Sequence, residues 1–94
     1  MVVVTRHKAL VEYLRETGVI PPNEDNVHVL SHAEPTNIAG CDVIGVLPLW
    51  IAVHAKTVTE VPLDLPPELR GVELTLDQIR QYAKHPETYV IENI

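Results

Sequence analysis

The sequence has one cysteine, no phenylalanine and no long apolar run, and each shortage excludes a class of protein. Because Cys41 has no second cysteine to pair with, an internal disulfide framework is excluded, and we expect a cytoplasmic protein. No stretch approaches the roughly 20 apolar residues that span a bilayer. The apolar start Met1–Val4 is cut at once by Thr5-Arg6-His7, which is not the pattern of a signal peptide.

Basic residues are also scarce, with 7 Lys and Arg against 13 Asp and Glu and a formal net charge of −6. A protein that coats long nucleic acid needs a basic face, so we expect no such partner. The few aromatic side chains argue against a platform for stacking single-stranded bases. A small phosphorylated ligand stays compatible with the composition, because Arg6, His7 and Lys8 adjoin in the sequence.

What the chain does have is apolar content, at 46% of its 94 residues. This is enough for one domain covering residues 1–94 with a single core, and no linker or internal repeat divides it. A domain of this size buries only about two-thirds of its unfolded surface at best. A homodimer that covers more apolar surface would relieve this limit.

Strand and helix patterns alternate along the sequence. β-branched or apolar runs predict strands at residues 2–5, 27–30, 43–47, 58–65 and 88–92, with Pro62 casting doubt on the pairing of the fourth. Helical spacing and end signals predict helices at about 8–17, 48–56 and 75–84, with Gly18 as a C-terminal cap and Thr75 with Gln78 as a capping box. Together these elements predict a small Rossmann-like α/β domain, a three-layer sandwich with a mostly parallel sheet.

The predicted helix from Pro48 to about Lys56 is apolar almost all round. Proline suits its first helical position, where the missing N–H is harmless. A helix without a polar face is usually buried twice, against its own sheet and against a partner. We therefore expect this helix to form a dimer interface.

The turn Thr5-Arg6-His7 lies where the first strand ends and the first helix begins. Ligands of open α/β sheets bind at the carboxyl ends of strands, and helix N-termini favour anions. Thr5 could cap the helix, Arg6 could bind phosphate with two donors, and His7 could transfer a proton near neutral pH. The alternative is a capping threonine followed by two solvated basic residues, and the residues alone do not decide between them.

A second junction of the same kind is Leu47-Pro48, whose free backbone N–H groups could face the same ligand. Gly45 just before it would allow a close approach of the backbone. The segment matches neither the GxGxxG fingerprint nor a P-loop, so dinucleotide binding and nucleoside triphosphate hydrolysis lack support.

The remaining histidines differ in their positions. His32 directly follows the second strand and should share a sheet edge with His7, whereas His28 and His54 are read as structural and His85 as a favourable cation at a helix end. A zinc site from His28, His32 and Cys41 matches no standard spacing.

Arg70 stands alone in an acidic neighbourhood. An ion pair with Glu68 or Glu73 and a contact with the ligand are equally weighted interpretations of this residue.

Several stretches line up, in order and at similar spacing, with a known family: Val4–His7, Asp42–Pro48, Leu65–Thr75 and Tyr89-Val90. In these stretches the chain resembles the small accessory proteins of type III CRISPR systems in the Csx series, specifically its sixteenth member. Two positions depart from the family pattern. Val46 replaces a threonine, and Cys41 interrupts the usual Gly-Asp before the third strand.

The resemblance implies a ring nuclease, which degrades the cyclic oligoadenylate messengers of type III CRISPR defence, with cyclic tetra-adenylate as the expected substrate. It implies a homodimer similar to the CARF (CRISPR-associated Rossmann fold) sensors, which hold the ring across a two-fold axis. The implied chemistry is metal-free attack of a ribose 2′-hydroxyl on the adjacent phosphate, without a cofactor. The expected catalytic residues are Arg6, His7 and His32, and the expected ligand-binding residues are Thr5, Leu47, Pro48 and Arg70.

Two other functions remain open at this point. The domain could bind cyclic oligoadenylate without cutting it, or it could be a structural partner in a CRISPR complex that docks through residues 49–53. A generic nucleotide-binding domain is the fallback.

Overall fold

The computed structural model describes residues 1–94, in which short strands alternate with helices along most of the chain. The strands are β1 (Val2–Val4), β2 (His28–Leu30), β3 (Asp42–Ile44), β4 (Thr57–Glu60) and β5 (Glu87–Tyr89). The helices are α1 (Lys8–Glu16), α2 (Pro35–Ile38), α3 (Leu49–Ala52) and α4 (Leu76–Tyr82), with a short 3-10 helix at Pro67–Leu69. No helix has the length and the apolar composition that a membrane span requires.

The five strands form one sheet in the order β2-β1-β3-β4-β5. The first four are parallel, and β5 pairs with β4 in the antiparallel sense. This confirms the predicted small Rossmann-like α/β class with a mostly parallel sheet. The chain leaves β1 for one edge of the sheet and returns to β3 on the other side of β1, so β1 and β3 flank the topological switch point. In doubly wound sheets, ligands bind outside the carboxyl ends of the strands at this point.

Alternating strand residues supply the two halves of the core. Val3 and Ile44 belong to a cluster with Leu14 of α1 and Ile79 of α4, on one face of the sheet. Their neighbours Val2 and Val43 pack on the opposite face, in a second cluster that includes Ile38 of α2 and Ile51 of α3. Burial on both faces explains why these strands are apolar runs without polar alternation.

Helix α4 begins as its sequence predicts. The Thr75 hydroxyl accepts a hydrogen bond from the backbone N–H of Gln78, whose side chain in turn accepts one from the N–H of Thr75. A bidentate ion pair also joins α1 to α4. In it, Arg80 donates hydrogen bonds to both carboxylate oxygens of Glu16, at 2.7 and 2.8 Å. This contact lowers the pKa of the Glu16 carboxyl.

Strands β3 and β4 end earlier than the sequence predicts. The predicted strand 43–47 stops at Ile44, because Gly45 adopts a φ of 150°, outside the range of strand backbone. The predicted strand 58–65 stops at Glu60, before Pro62, which has no N–H to continue a ladder. Both early ends leave irregular backbone at the carboxyl edge of the sheet, where it can line a site.

The prediction of a helix over 48–56 is wrong in its length. Only Leu49–Ala52 is helical, and Pro48 is the N-cap residue rather than the first helical one. After the helix the chain forms a turn, in which the N–H of His54 donates to the carbonyl of Ile51 three residues earlier. Strand β4 then begins at Thr57. Ile51 and Ala52 are buried, whereas Leu49 and Trp50 are 71% and 67% exposed. The helix is therefore apolar on its buried face and on its exposed face, as predicted, but it is only one turn long.

Candidate functional site

A cavity of about 550 Å³ opens at the carboxyl ends of the parallel strands, at the switch point between β1 and β3. Its wall is built mainly by the residues that end each strand or follow it: Val4, Thr5, Arg6, His7, Leu10, Ser31, Ile44, Gly45, Val46, Glu60, Val61, Pro62 and Leu63. The sequence predicts a ligand site at this edge, and Thr5, Arg6 and His7 do lie together there.

The turn after β1 is held by its own threonine. The N–H of Thr5 donates to the carbonyl of Leu30 at 2.8 Å, which extends the β1–β2 ladder by one bond. The Thr5 hydroxyl then accepts a hydrogen bond from the N–H of His7 at 3.0 Å. Thr5 therefore stabilises the turn. The expectation that it caps α1 is wrong, because His7 is the N-cap residue.

The imidazole of His7 is held by a hydrogen bond from a residue 67 positions later in the sequence. Its Nδ1 accepts a hydrogen bond from the backbone N–H of Leu74 at 3.4 Å. A neutral imidazole that accepts at Nδ1 carries its proton at Nε2. In this arrangement His7 offers a hydrogen-bond donor and has no free acceptor nitrogen.

The N-terminus of α1 has no capping side chain and no acidic residue to balance the partial positive charge of the helix end. His7 makes no side-chain cap and no acidic residue lies in the first turn, whereas α4 has both a complete capping box and Asp77. Arg6 is exposed and takes part in none of the ion pairs of the chain. An uncapped helix N-terminus beside an unpaired guanidinium favours an anion such as phosphate.

Gly45 forms part of the cavity wall and is the one glycine with close neighbours. A Cβ at this position would lie 2.6 Å from the carbonyl oxygen of Val4, in addition to the unfavourable φ of 150°. Glycine thus lets the chain leave β3 in contact with β1 at the switch point. Together with Val46 and Glu60, Gly45 also borders a second, mostly apolar groove of about 330 Å³ beside α3 and β5.

The other predicted site residues lie outside the cavity wall. His32 is exposed and follows Ser31, which does line the cavity. Leu47 borders the second groove, and Pro48 contributes to neither cavity. Arg70 is exposed at the end of the 3-10 helix.

Two local interpretations from the sequence are wrong. Arg70 pairs with neither Glu68 nor Glu73, because the ion pairs of the chain involve other residues. His28 and His54 are exposed, His28 at the start of β2 and His54 in the turn after α3, so neither is an enclosed structural histidine. No group of three His, Cys, Asp or Glu side chains is placed to hold a metal ion.

Sequence reasoning missed two polar residues of the cavity, Ser31 and Glu60. Ser31 is the residue directly after β2, and the rule that ligands bind beyond strand ends could have selected it instead of His32. Glu60 could not be found in this way, because the predicted fourth strand ran past it to residue 65.

Comparison with known proteins gives one match, which covers almost the whole chain. Residues 2–92 match the family described as "Putative CRISPR-associated protein (Cas_VVA1548)". Searches of curated proteins and of solved structures gave no significant match. The matched range includes all five strands and every residue of the cavity wall. The chain therefore belongs to this family of CRISPR-associated proteins.

Proposed function

We propose that this CRISPR-associated protein is a ring nuclease that binds and opens cyclic oligoadenylate, with cyclic tetra-adenylate as its substrate. One observation carries the proposal. The cavity at the switch point brings Thr5, Arg6 and His7 to the uncapped N-terminus of α1, an arrangement that favours an anion such as phosphate in a chain of net charge −6. The family membership and the resemblance to type III accessory proteins supply the ligand class.

The reaction needs no nucleophile from the protein. A ribose 2′-hydroxyl attacks the adjacent phosphorus in line, the bond to the 5′-oxygen breaks, and a 2′,3′-cyclic phosphate remains. The protein contributes orientation of the sugar and stabilisation of the negative charge on the phosphorane. Arg6 would bind the phosphate oxygens, and the Nε2–H of His7 would donate a hydrogen bond to a phosphate oxygen or to the leaving 5′-oxygen.

The other two basic residues predicted for the site, His32 and Arg70, do not line the cavity. Both are exposed, so a role for either one requires a ligand that extends beyond one cavity. A ring with two-fold symmetry would match two copies of the same site. We include a homodimer in the proposal for this reason.

The dimer surface would be the apolar groove lined by Val46, Leu49 and Tyr89, together with Trp50, which follows Leu49 on α3. These four residues are 48–71% exposed. Sedimentation of the wild-type protein should give a dimer, and a Trp50→Glu variant should give a folded monomer. A wild-type monomer at concentrations where cyclic tetra-adenylate is bound would contradict the dimer part of the proposal.

The activity is tested by incubating excess protein with labelled cyclic tetra-adenylate in EDTA. We expect linear products that end in 2′,3′-cyclic phosphates, and we expect Arg6→Ala to slow their formation. An intact ring that stays tightly bound would instead indicate a non-catalytic binding module. Absence of both binding and cleavage would favour the remaining alternative, a structural partner in a CRISPR complex.

A further inference from the structure

Glu60 is the only acidic residue in the wall of the cavity. It is the last residue of β4 and is half-buried. It takes part in none of the three ion pairs of the chain, although Arg6 lines the same cavity. A carboxylate without a cationic partner therefore lies among groups that are otherwise suited to bind an anion.

The sheet itself gains little from a glutamate at this position. Glu60 lies directly opposite Glu87 in the β4–β5 pairing, and like charges in facing positions destabilise a sheet. The preceding pair is favourable by comparison, since the hydroxyls of Thr59 and Thr88 share a hydrogen bond of 2.8 Å. The pairing with Glu87 therefore gives no structural reason for a carboxylate at this position.

The cavity lacks another group that can take a proton efficiently. The Nδ1 of His7 already accepts a hydrogen bond from Leu74, and the guanidinium of Arg6 has no acceptor. The hydroxyls of Thr5 and Ser31 are weak bases. Attack by a ribose 2′-hydroxyl nevertheless requires that its proton be removed.

We propose that Glu60 is the general base of the ring-opening reaction, an inference that rests on the proposed function. The Glu60 carboxylate removes the proton of the 2′-hydroxyl as the bond between O2′ and phosphorus forms. The bond between phosphorus and O5′ breaks, and the leaving oxygen takes a proton from water, which reaches the cavity beside the exposed Arg6 and Val46. Glu60 then returns its proton to solvent, so the step balances without a metal or a cofactor.

The test separates chemistry from binding in Glu60→Gln. Single-turnover cleavage of cyclic tetra-adenylate should slow by about 100-fold or more, the contribution usual for a general base. Binding of a ring whose 2′-hydroxyls are methylated should stay within about threefold of wild type if the roles assigned above hold. Glu60→Asp, which keeps a shorter carboxylate, should retain part of the rate.

Glu87→Gln is the matched control, because it relieves the same repulsion between facing strands without touching the cavity wall. It should cleave at the wild-type rate. Cleavage by Glu60→Gln at that rate, or a loss of binding that accounts for the whole defect, would overturn the role of Glu60 alone. A wild-type protein that leaves the ring intact would overturn the proposed function as well.

Discussion

Replacement of Gly45 by alanine is the sharpest test of how the site is built. The added methyl group would lie 2.6 Å from the carbonyl oxygen of Val4 and 3.1 Å from its Cβ, so β1 and β3 would have to separate. Overpacking of this kind costs about 1–3 kcal/mol. The φ of 150° adds about 1–3 kcal/mol of backbone strain for a residue other than glycine. We therefore expect a loss of about 4 kcal/mol, which is most of the stability of a marginal small domain.

Gly40→Ala provides the matched control, because Gly40 also has a positive φ, of 70°, but no atom lies within 4 Å of an added Cβ. It should cost only the left-handed backbone penalty of about 1–2 kcal/mol. In thermal unfolding followed by circular dichroism, Gly45→Ala should melt at least about 10 °C below Gly40→Ala. Equal melting temperatures for the two variants would refute the close approach of β3 to β1 at the switch point.

Three further outcomes are expected. Arg6→Ala should weaken binding of the methylated ring by about tenfold, as judged by calorimetry, whereas Arg15→Ala at the other end of α1 should not, and equal affinities for both would exclude Arg6 from the site. Thr75→Ala should cost about 1 kcal/mol in urea unfolding by removing the cap of α4, and an unchanged midpoint would argue against that cap. Glu16→Gln should be less stable than wild type at neutral pH.

The pH dependence of the last variant follows from the sign of the shift. The hydrogen bond from Arg80 lowers the pKa of the Glu16 carboxyl, so the pair stabilises the fold above the ordinary value of 4.5 and loses this effect as the pH falls through the lowered value. The stability difference between wild type and Glu16→Gln should therefore close in acid. A difference that is independent of pH would show that packing rather than charge ties α1 to α4.

Local signals in the sequence were enough for much of the fold. The β-branched run before Thr5 marks a strand buried on both faces, and Thr75 with Gln78 marks the start of α4, because both depend on neighbouring residues only. The order of strands in the sheet could not be predicted, since pairing of β1 with β3 joins segments that are distant in the chain.

The residues of the candidate site could likewise be predicted only in part. Thr5, Arg6 and His7 could be placed at a strand end from the sequence, and the structure puts all three in the cavity wall. The hydrogen bond from Leu74 to His7 could not be foreseen, because it joins residues 67 positions apart. Glu60 could not be predicted from the sequence for a different reason. Its role depends on where β4 ends, and apolar patterning locates strand ends poorly.

The central claim is tested most directly by giving the wild-type protein two rings side by side in EDTA. One is cyclic tetra-adenylate, and the other is the same ring with every 2′-hydroxyl methylated. We expect that both rings bind and that only the first is opened, since only it carries the attacking hydroxyl. Opening of both rings, or of neither, would contradict it.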